Sequence, residues 1–424
     1  MAIGNTTIVW RSLTARLFST VTTILLVSVS VGLMLLLLSM RDAAMAAFER
    51  GIGNMQVLIS RDSSPLTSVL DGVFYAGAPP KPIMWAEYEQ LTSRFPFEYA
   101  IPTQMGDSYR GRPVVATAPE FFTQFQPVKD EPWKFAQGRA FDGSFQVVAG
   151  SEAAQATSLR IGDKVSLSHG SPRDPNAHVH ADFSYEVVGI LAPTGSPHDR
   201  ALFTDLTSAW ILHAHDRRKQ TLGEGVKTTA DDLIDEDKKI TGIYARVLSR
   251  PGSAMGSALP QVLSMLRASQ SYTVAEPGGE IKKLHEIVGN VDQILLGMAA
   301  AVIVSGAIAV MLALYNSMEQ RRRQIAVLRV LGASRRRIFL LVVAESAAIG
   351  IAGALVGVVI AAIGGEVVSG VMEARLGLVI HPAVTLVPTL IVVGATTVLA
   401  AAAGLVPAIA GYRTSVVRNL RPFG

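Results

Sequence analysis

The chain has 424 residues, of which 49% are hydrophobic and 17% charged, with 38 basic and 34 acidic side chains. That is too apolar for an ordinary soluble domain. Cysteine is absent, which excludes zinc ribbons, thiol catalysis and a disulfide framework.

The first element, residues 1–17, reads as a cytoplasmic amphipathic helix. In "IVWRSLTARLFS" the apolar Ile8, Trp10, Leu13, Leu17 and Phe18 lie broadly together, away from Arg11, as in a helix resting on a membrane surface. Next comes an uncharged run, Leu17 to Met40. It exceeds the 7–15 apolar residues of a secretory signal, so residues 18–40 are expected to be an uncleaved first span. Three further runs are as long: Gln293–Met318, Ile338–Gly365 with the single acid Glu345, and Pro382–Tyr412. Each exceeds the roughly 20 residues that a helix needs to cross the hydrocarbon core. The expected spans are 18–40, 289–317, 338–370 and 386–411. Small residues in "GIAGALVGVVIAAIGG" suit close approach of helices in lipid.

Between the first two spans, 41–288 has the texture of an α+β domain. Strand-like runs ("MQVLIS", "FQVVAG", "KVSLSH", "FSYEVVGIL", "GIYARVLS") alternate with helical stretches ("MWAEYEQLTSRF", "GSALPQVLSMLRASQ") and Gly/Pro punctuation. "GSEAAQATSLRIGDKVSL" reads as a short helix, a turn and a strand. The charged segment 215–240 reads as a mobile surface insertion. "GGEIKKLHEIVGNVDQILLGM" has helical spacing, so the second span should begin as a stalk outside the bilayer. The fold class is therefore integral membrane α-helical, with four transmembrane helices and a large extracytoplasmic α+β domain.

Charge fixes the orientation. With the first residues inside, the loop 318–337 and the tail 412–424 are inside too, and 371–385 is a short outer loop. The inner segments hold Arg11, Arg16, Arg321, Arg322, Arg323, Arg329, Arg335, Arg336, Arg337, Arg413, Arg418 and Arg421 against one acid, Glu319. This follows the positive-inside rule. Taking these twelve from the 38 basic residues leaves 26, against 33 of the 34 acids. The basic character thus belongs to membrane topology, and a nucleic-acid partner is not expected.

From about Arg321 the inner loop reads as a helix. Ile325, Leu328 and Leu331 recur at i, i+3 and i+6 with arginines around them, Gly332 suits a left-handed C-terminal cap, and Ser334 suits the N-cap of the third span. The segment "YNSMEQRRRQIAVLRVLGASRRRIFLLVVAESAAIGIAGALVGVVIA" resembles the motif of MacB/FtsX/LolC-type ABC transporter permeases, in which E-R-R-x-E-I-A-x-L-R-A-L-G-A-S leads into the third span with a glutamate beyond. Here the matching positions are Glu319, Arg321, Arg322, Gln324, Ile325, Ala326, Leu328, Arg329, Leu331, Gly332, Ala333, Ser334 and Glu345; Gln324 replaces a common acid. "VVGILAPTGSPHDRALFTDL" in the outer domain also resembles stretches of such permeases.

The resemblance implies a permease that dimerises, with itself or with a related chain, on a separate ABC ATPase subunit that holds ATP and Mg. It implies a domain in the periplasm, a multi-pass position in the cytoplasmic (inner) membrane, and mechanotransmission or export acting on a periplasmic or membrane substrate. Contact with membrane lipid and with a periplasmic protein or lipoprotein follows. Residues expected to couple to the ATPase are Glu319, Arg322, Ile325, Leu328, Arg329, Leu331, Gly332 and Ser334. The chain itself shows no G-x-x-x-x-G-K-[ST], so no cofactor and no catalysis are assigned to it. For Glu345, a hydrogen-bonding role near the inner face is favoured over an ion relay.

Two other readings stay open: a zinc-linked ABC transport component, and a membrane receptor that does not transport. The first rests on histidines. All eight lie outside the cytoplasm, and "HVH" and "HAH" would each point to one face of a strand. No metal is assigned, but His178, His180, His213 and His215 are the candidates. A hydrolase is disfavoured: "GSPHDRALFTDL" offers Ser, His and Asp but no G-x-S-x-G elbow.

Overall fold

The structure is a computed structural model. It describes residues 5–77, 79–169, 178–179, 182–223, 225–248, 258–330, 333–376 and 382–412. The chain divides into two compact units, Met1–Ala44 with Val288–Gly424, and Met45–Ile287.

In chain order, α1 (Asn5–Thr14) and α2 (Leu17–Ile52) precede β1 (Val57–Ser60), α3 (Pro65–Gly72), β2 (Ile83–Met84) and α4 (Trp85–Arg94). Then come β3 (Phe97–Tyr109), β4 (Arg112–Thr117), α5 (Glu120–Thr123), β5 (Phe135–Gly138), β6 (Gln146–Ala149) and α6 (Ser151–Thr157). They are followed by β7 (Lys164–Val165), β8 (Ser168–His169), β9 (His178–Val179), β10 (Tyr185–Leu191), β11 (Leu202–Asp205) and α7 (Leu206–Leu222). The last are β12 (Lys239–Ile240), β13 (Gly242–Val247), α8 (Leu259–Ala268), β14 (Thr273–Ala275), α9 (Pro277–Val330), α10 (Arg335–Leu376), α11 (Leu386–Ala403) and α12 (Leu405–Tyr412).

In the unit Met45–Ile287 the main sheet runs β14-β1-β13-β3-β4-β11-β6-β10-β5, with β7 on β10 and the β8–β9 ribbon on β3. It is mixed: β4–β11 and β6–β10 are parallel, while β13–β3 and β3–β4 are antiparallel. Side chains alternate across it. In β1, Leu58 faces an aromatic cluster while Val57 and Ile59 face a second cluster; in β13, Tyr244 joins the first and Ile243 and Ala245 the second. Both faces are covered, so every residue of "VLIS" is buried rather than every other one.

The segment 215–240 does not form a mobile insertion. The α7 helix runs through its first part. Arg217 pairs with Asp237 at 2.6 Å, Arg218 with Asp232 at 2.5 Å, and the Trp210 indole donates to the carbonyl of Lys239 at 2.7 Å. Opposite charges spaced for a return path tie the segment back onto its own helix. "HAH" likewise lies in α7, not in a strand. Residues two apart on a helix point roughly opposite ways, so His213 and His215 meet different partners.

Among the described residues, four helices are long and apolar enough to cross a membrane: Leu17–Ala43, Gln293–Asn316, Arg335–Val371 and Leu386–Ala410. The glycines of the third bring backbones together. A Cβ at Gly353 would stand 2.6 Å from Cγ1 of Val27, one at Gly357 2.7 Å from Cβ of Val31, and one at Gly350 2.6 Å from Cβ of Ala400. So α10 meets α2 on one side and α11 on the other. The last span is broken between α11 and α12 because Pro407 has no N–H for the carbonyl of Ala403.

Candidate functional site

One place of interest is where the helix from the first span ends. The α2 helix stops at Ile52, and Gly53 turns the chain with φ +56° against the carbonyl of Gln126. Asn54 then locks the turn. Its amide nitrogen donates to the carbonyl of Gln124 at 2.9 Å, and its side-chain oxygen accepts from the Gln126 N–H at 3.0 Å and the Tyr99 hydroxyl at 2.8 Å. From the other side, "TGSPHDR" docks on the same end. Asp199 accepts from the N–H groups of Thr194 and Gly195 at 3.0 Å and 2.8 Å, which shapes the loop and presents His198.

His198 is fully buried among Phe121, Phe125 and Trp133. Its Nε2 lies 2.9 Å from the carbonyl of Gly51, the last turn of α2. A carbonyl can only accept, so Nε2 carries the proton and Nδ1 accepts from the Tyr75 hydroxyl. Burial, chiefly, holds this imidazole down to about pKa 4, with the Arg200 charge acting the same way against the Gly51 hydrogen bond. Both ring nitrogens are taken, so Ser196, His198 and Asp199 do not assemble an acyl-transfer relay; the Ser196 hydroxyl instead pairs with that of Thr194.

The start of α9 reaches the same aromatic cluster. Ile281 is buried in it and Leu284 packs against it, alongside Ile52 and Met55. From there α9 is one uninterrupted helix of 54 residues. It includes the second candidate span and, without a break, the backbone of Glu319, Arg322, Ile325, Leu328 and Arg329. The side chains of the first four lie outside the described residues, as do Leu331 and Gly332. Ser334 is described: its hydroxyl accepts from the Arg337 N–H at 3.2 Å, the geometry of an N-cap for α10.

Glu345, on α10, is buried, and one of its oxygens accepts from the Ser12 hydroxyl at 2.6 Å. The partner is on α1. That helix turns Leu13 toward the cluster formed by the spans and leaves Trp10 exposed, as are Leu17 and Phe18 at the start of α2.

The histidines sort differently from the sequence pairs. His180 lies outside the described residues. His178 sits opposite His169 in the β8–β9 register. His215 is buried, bonded through Nδ1 to the Thr228 hydroxyl at 3.1 Å, with Nε2 3.5 Å from Asp182. His213 turns instead toward Asp107 of β3, 3.6 Å away, and His169 of β8 meets the other oxygen of the same carboxylate at 3.1 Å. The two rings are edge to face, 5.1 Å apart. The hydrogen bond that His169 donates to the Asp107 carboxylate raises the pKa of His169, whereas burial lowers that of His213. Neither Asp107 nor His169 is a candidate on sequence grounds. Gly106, which marks the bulge that turns Asp107, is the only local hint.

The comparisons fit this architecture. Residues 20–262 match the MacB-like periplasmic core domain, and residues 296–416 match the FtsX-like permease C-terminal. The chain belongs to the MacB/FtsX-type ABC transporter permeases. Among curated relatives, an uncharacterized ABC transporter permease of Methanocaldococcus jannaschii is 25% identical over 187 residues, covering 44% of this permease and 42% of the relative. Among solved structures, the extracellular domain of the noncanonic ABC-type transporter YknZ from Gram-positive bacteria is similar at 11% identity and a TM-score of 0.28. That likeness covers 52% of this chain and 99% of the other. By its family matches the permease is a membrane protein, with four helices long and apolar enough to span among the described residues and an α+β domain of the MacB-like periplasmic core type.

Proposed function

We propose that this permease couples ATP hydrolysis on a separate nucleotide-binding subunit to motion of its extracellular domain, for export, extraction or mechanotransmission of a periplasmic or membrane substrate. Family membership implies the ATPase partner and a dimer. The observation that carries the reading is the continuity of α9. One end packs through Ile281 and Leu284 beside the end of α2, and the other carries the basic segment "RRRQIAVLR". A helix without a break passes an axial displacement on with little loss, because every turn is hydrogen-bonded to the next.

In this reading Ile325, Leu328 and Leu331 seat in the ATPase, Arg322 and Arg329 flank them, and Gly332 with Ser334 forms the joint to α10. The ATP and Mg sit on the partner, and this chain supplies no catalytic group. The permease lies in the inner membrane with its domain in the periplasm, where a protein or lipoprotein would meet it. The test is copurification of the full chain with an ABC ATPase subunit. Leu328→Glu is expected to leave membrane insertion intact and abolish complex formation and stimulated ATP hydrolysis. A variant that still assembles and still stimulates hydrolysis would overturn the coupling role.

A further inference from the structure

We infer that Asp107, His169 and His213 form a binding site for a divalent transition-metal cation, zinc by its chemistry, on the extracellular domain. The inference does not depend on the coupling reading above.

The three side chains come from β3, β8 and α7, and one ligand atom of each lies within 4.8 Å of the others. The carboxylate is the central group. Its two oxygens face the two imidazoles, at 3.1 Å to Nδ1 of His169 and 3.6 Å to Nε2 of His213. In a tetrahedral zinc site with ligand bonds of about 2.0–2.1 Å, the edge between neighbouring donor atoms is roughly 3.3 Å. The two observed separations bracket that edge, so a cation can enter with small side-chain adjustments. Two imidazoles and a carboxylate are also the donor types that borderline-soft zinc takes, and they leave a fourth position for water or substrate.

The surroundings agree. The Asp107 side chain is 8% exposed and that of His169 is 55% exposed. The anionic ligand is therefore shielded while one ligand opens to solvent, which gives a cation a way in. Asp216 acts on both imidazoles and adds negative charge nearby. Bound metal would tie the β8–β9 ribbon and α7 to the centre of the main sheet.

The experiment uses the purified full chain in detergent, stripped with chelator and dialysed against zinc chloride. Wild type is expected to retain zinc stoichiometrically, and cobalt(II) in its place is expected to give the intense visible absorption of a four-coordinate centre. His169→Ala, at an exposed position that leaves the fold undisturbed, and His213→Ala are each expected to lose both signals. Failure of wild type to retain zinc, a weak octahedral cobalt spectrum, or full retention by His169→Ala would overturn the site. Should His213→Ala fail to fold, the folded His169→Ala chain and the cobalt spectrum decide between the same two outcomes.

Discussion

The Ser12 hydroxyl donates to a carboxylate oxygen of Glu345 at 2.6 Å, joining α1 to α10 across 333 residues of sequence. Both side chains are buried, so the bond pins the amphipathic first helix to the third candidate span. Removing the donor leaves a buried acceptor short of a partner, which costs about 1–3 kcal/mol. Ser12→Ala is expected to lower thermal stability in detergent by that much. Glu345→Gln, which can still accept from the hydroxyl, should cost less. Equal losses in the two variants would show that the carboxylate acts through something other than this bond.

The crossing of α2 and α10 allows no side chain at Gly357. A Cβ there would stand 2.7 Å from Cβ of Val31 and 2.8 Å from the Ser28 carbonyl oxygen. The second neighbour is backbone and cannot rotate away. Gly357→Val should therefore part the helices, at a cost of about 3 kcal/mol or more. Gly370→Val, at a position where an added Cβ meets nothing within 4 Å among the described residues, is the matched control. Melting curves that coincide for the two variants would refute the close crossing.

His198 predicts a pH dependence of the extracellular domain. Its folded pKa of about 4 lies below the unfolded value of 6.5. The unfolded chain therefore binds the proton first, and stability is complete above pH 6.5 and lost as pH falls toward 4. By linkage the loss is about 2 kcal/mol at pH 5 and on the order of 3 kcal/mol in full. The melting temperature of wild type should fall between about pH 7 and pH 5 more steeply than that of His198→Gln, which has no titrating group there. Parallel slopes would remove His198 from the account.

Gly53 is the sharpest backbone constraint at the end of α2. Its φ is +56°, and a Cβ would lie 1.7 Å from the Gln126 carbonyl oxygen. Gly53→Ala meets an unfavourable conformation and a clash with backbone together, so a loss above about 2 kcal/mol is expected. Limited proteolysis of the full chain should then cut near Asn54, where wild type resists. An alanine variant as resistant as wild type would mean that the turn can reshape freely.

Much of this architecture is written locally. The apolar runs are long enough to be read by length alone, and "VLIS", "YEVVGIL" and "GIYARV" announce strands through β-branched content. The longest strand, β3, is hidden by Pro102 and Gly106, two residues that argue against a central strand when taken singly. Tertiary pairing on both sides with β13 and β4 overrides them. The Asp107–His169–His213 group is equally hidden, because its members are brought together only by sheet pairing and by the packing of α7. The "HAH" pair misleads for a related reason: its two-residue spacing carries meaning only once the backbone is known to be helical. The basic motif before α10 reads clearly as sequence, because arginine content and apolar spacing need no tertiary partner to be seen.

The end of α2 and the start of α9 share one cluster of aromatic rings, with Ile52 from the first, Met55 from the turn just after it, and Ile281 and Leu284 from the second. Close-packed rings do not yield in proportion to a pull, since interiors of this density shift between discrete arrangements. The extracellular domain should therefore behave as a latch rather than a spring. On the coupling reading proposed above, small fluctuations of either helix would be absorbed, and only a displacement large enough to reseat the rings would change the shape beyond them.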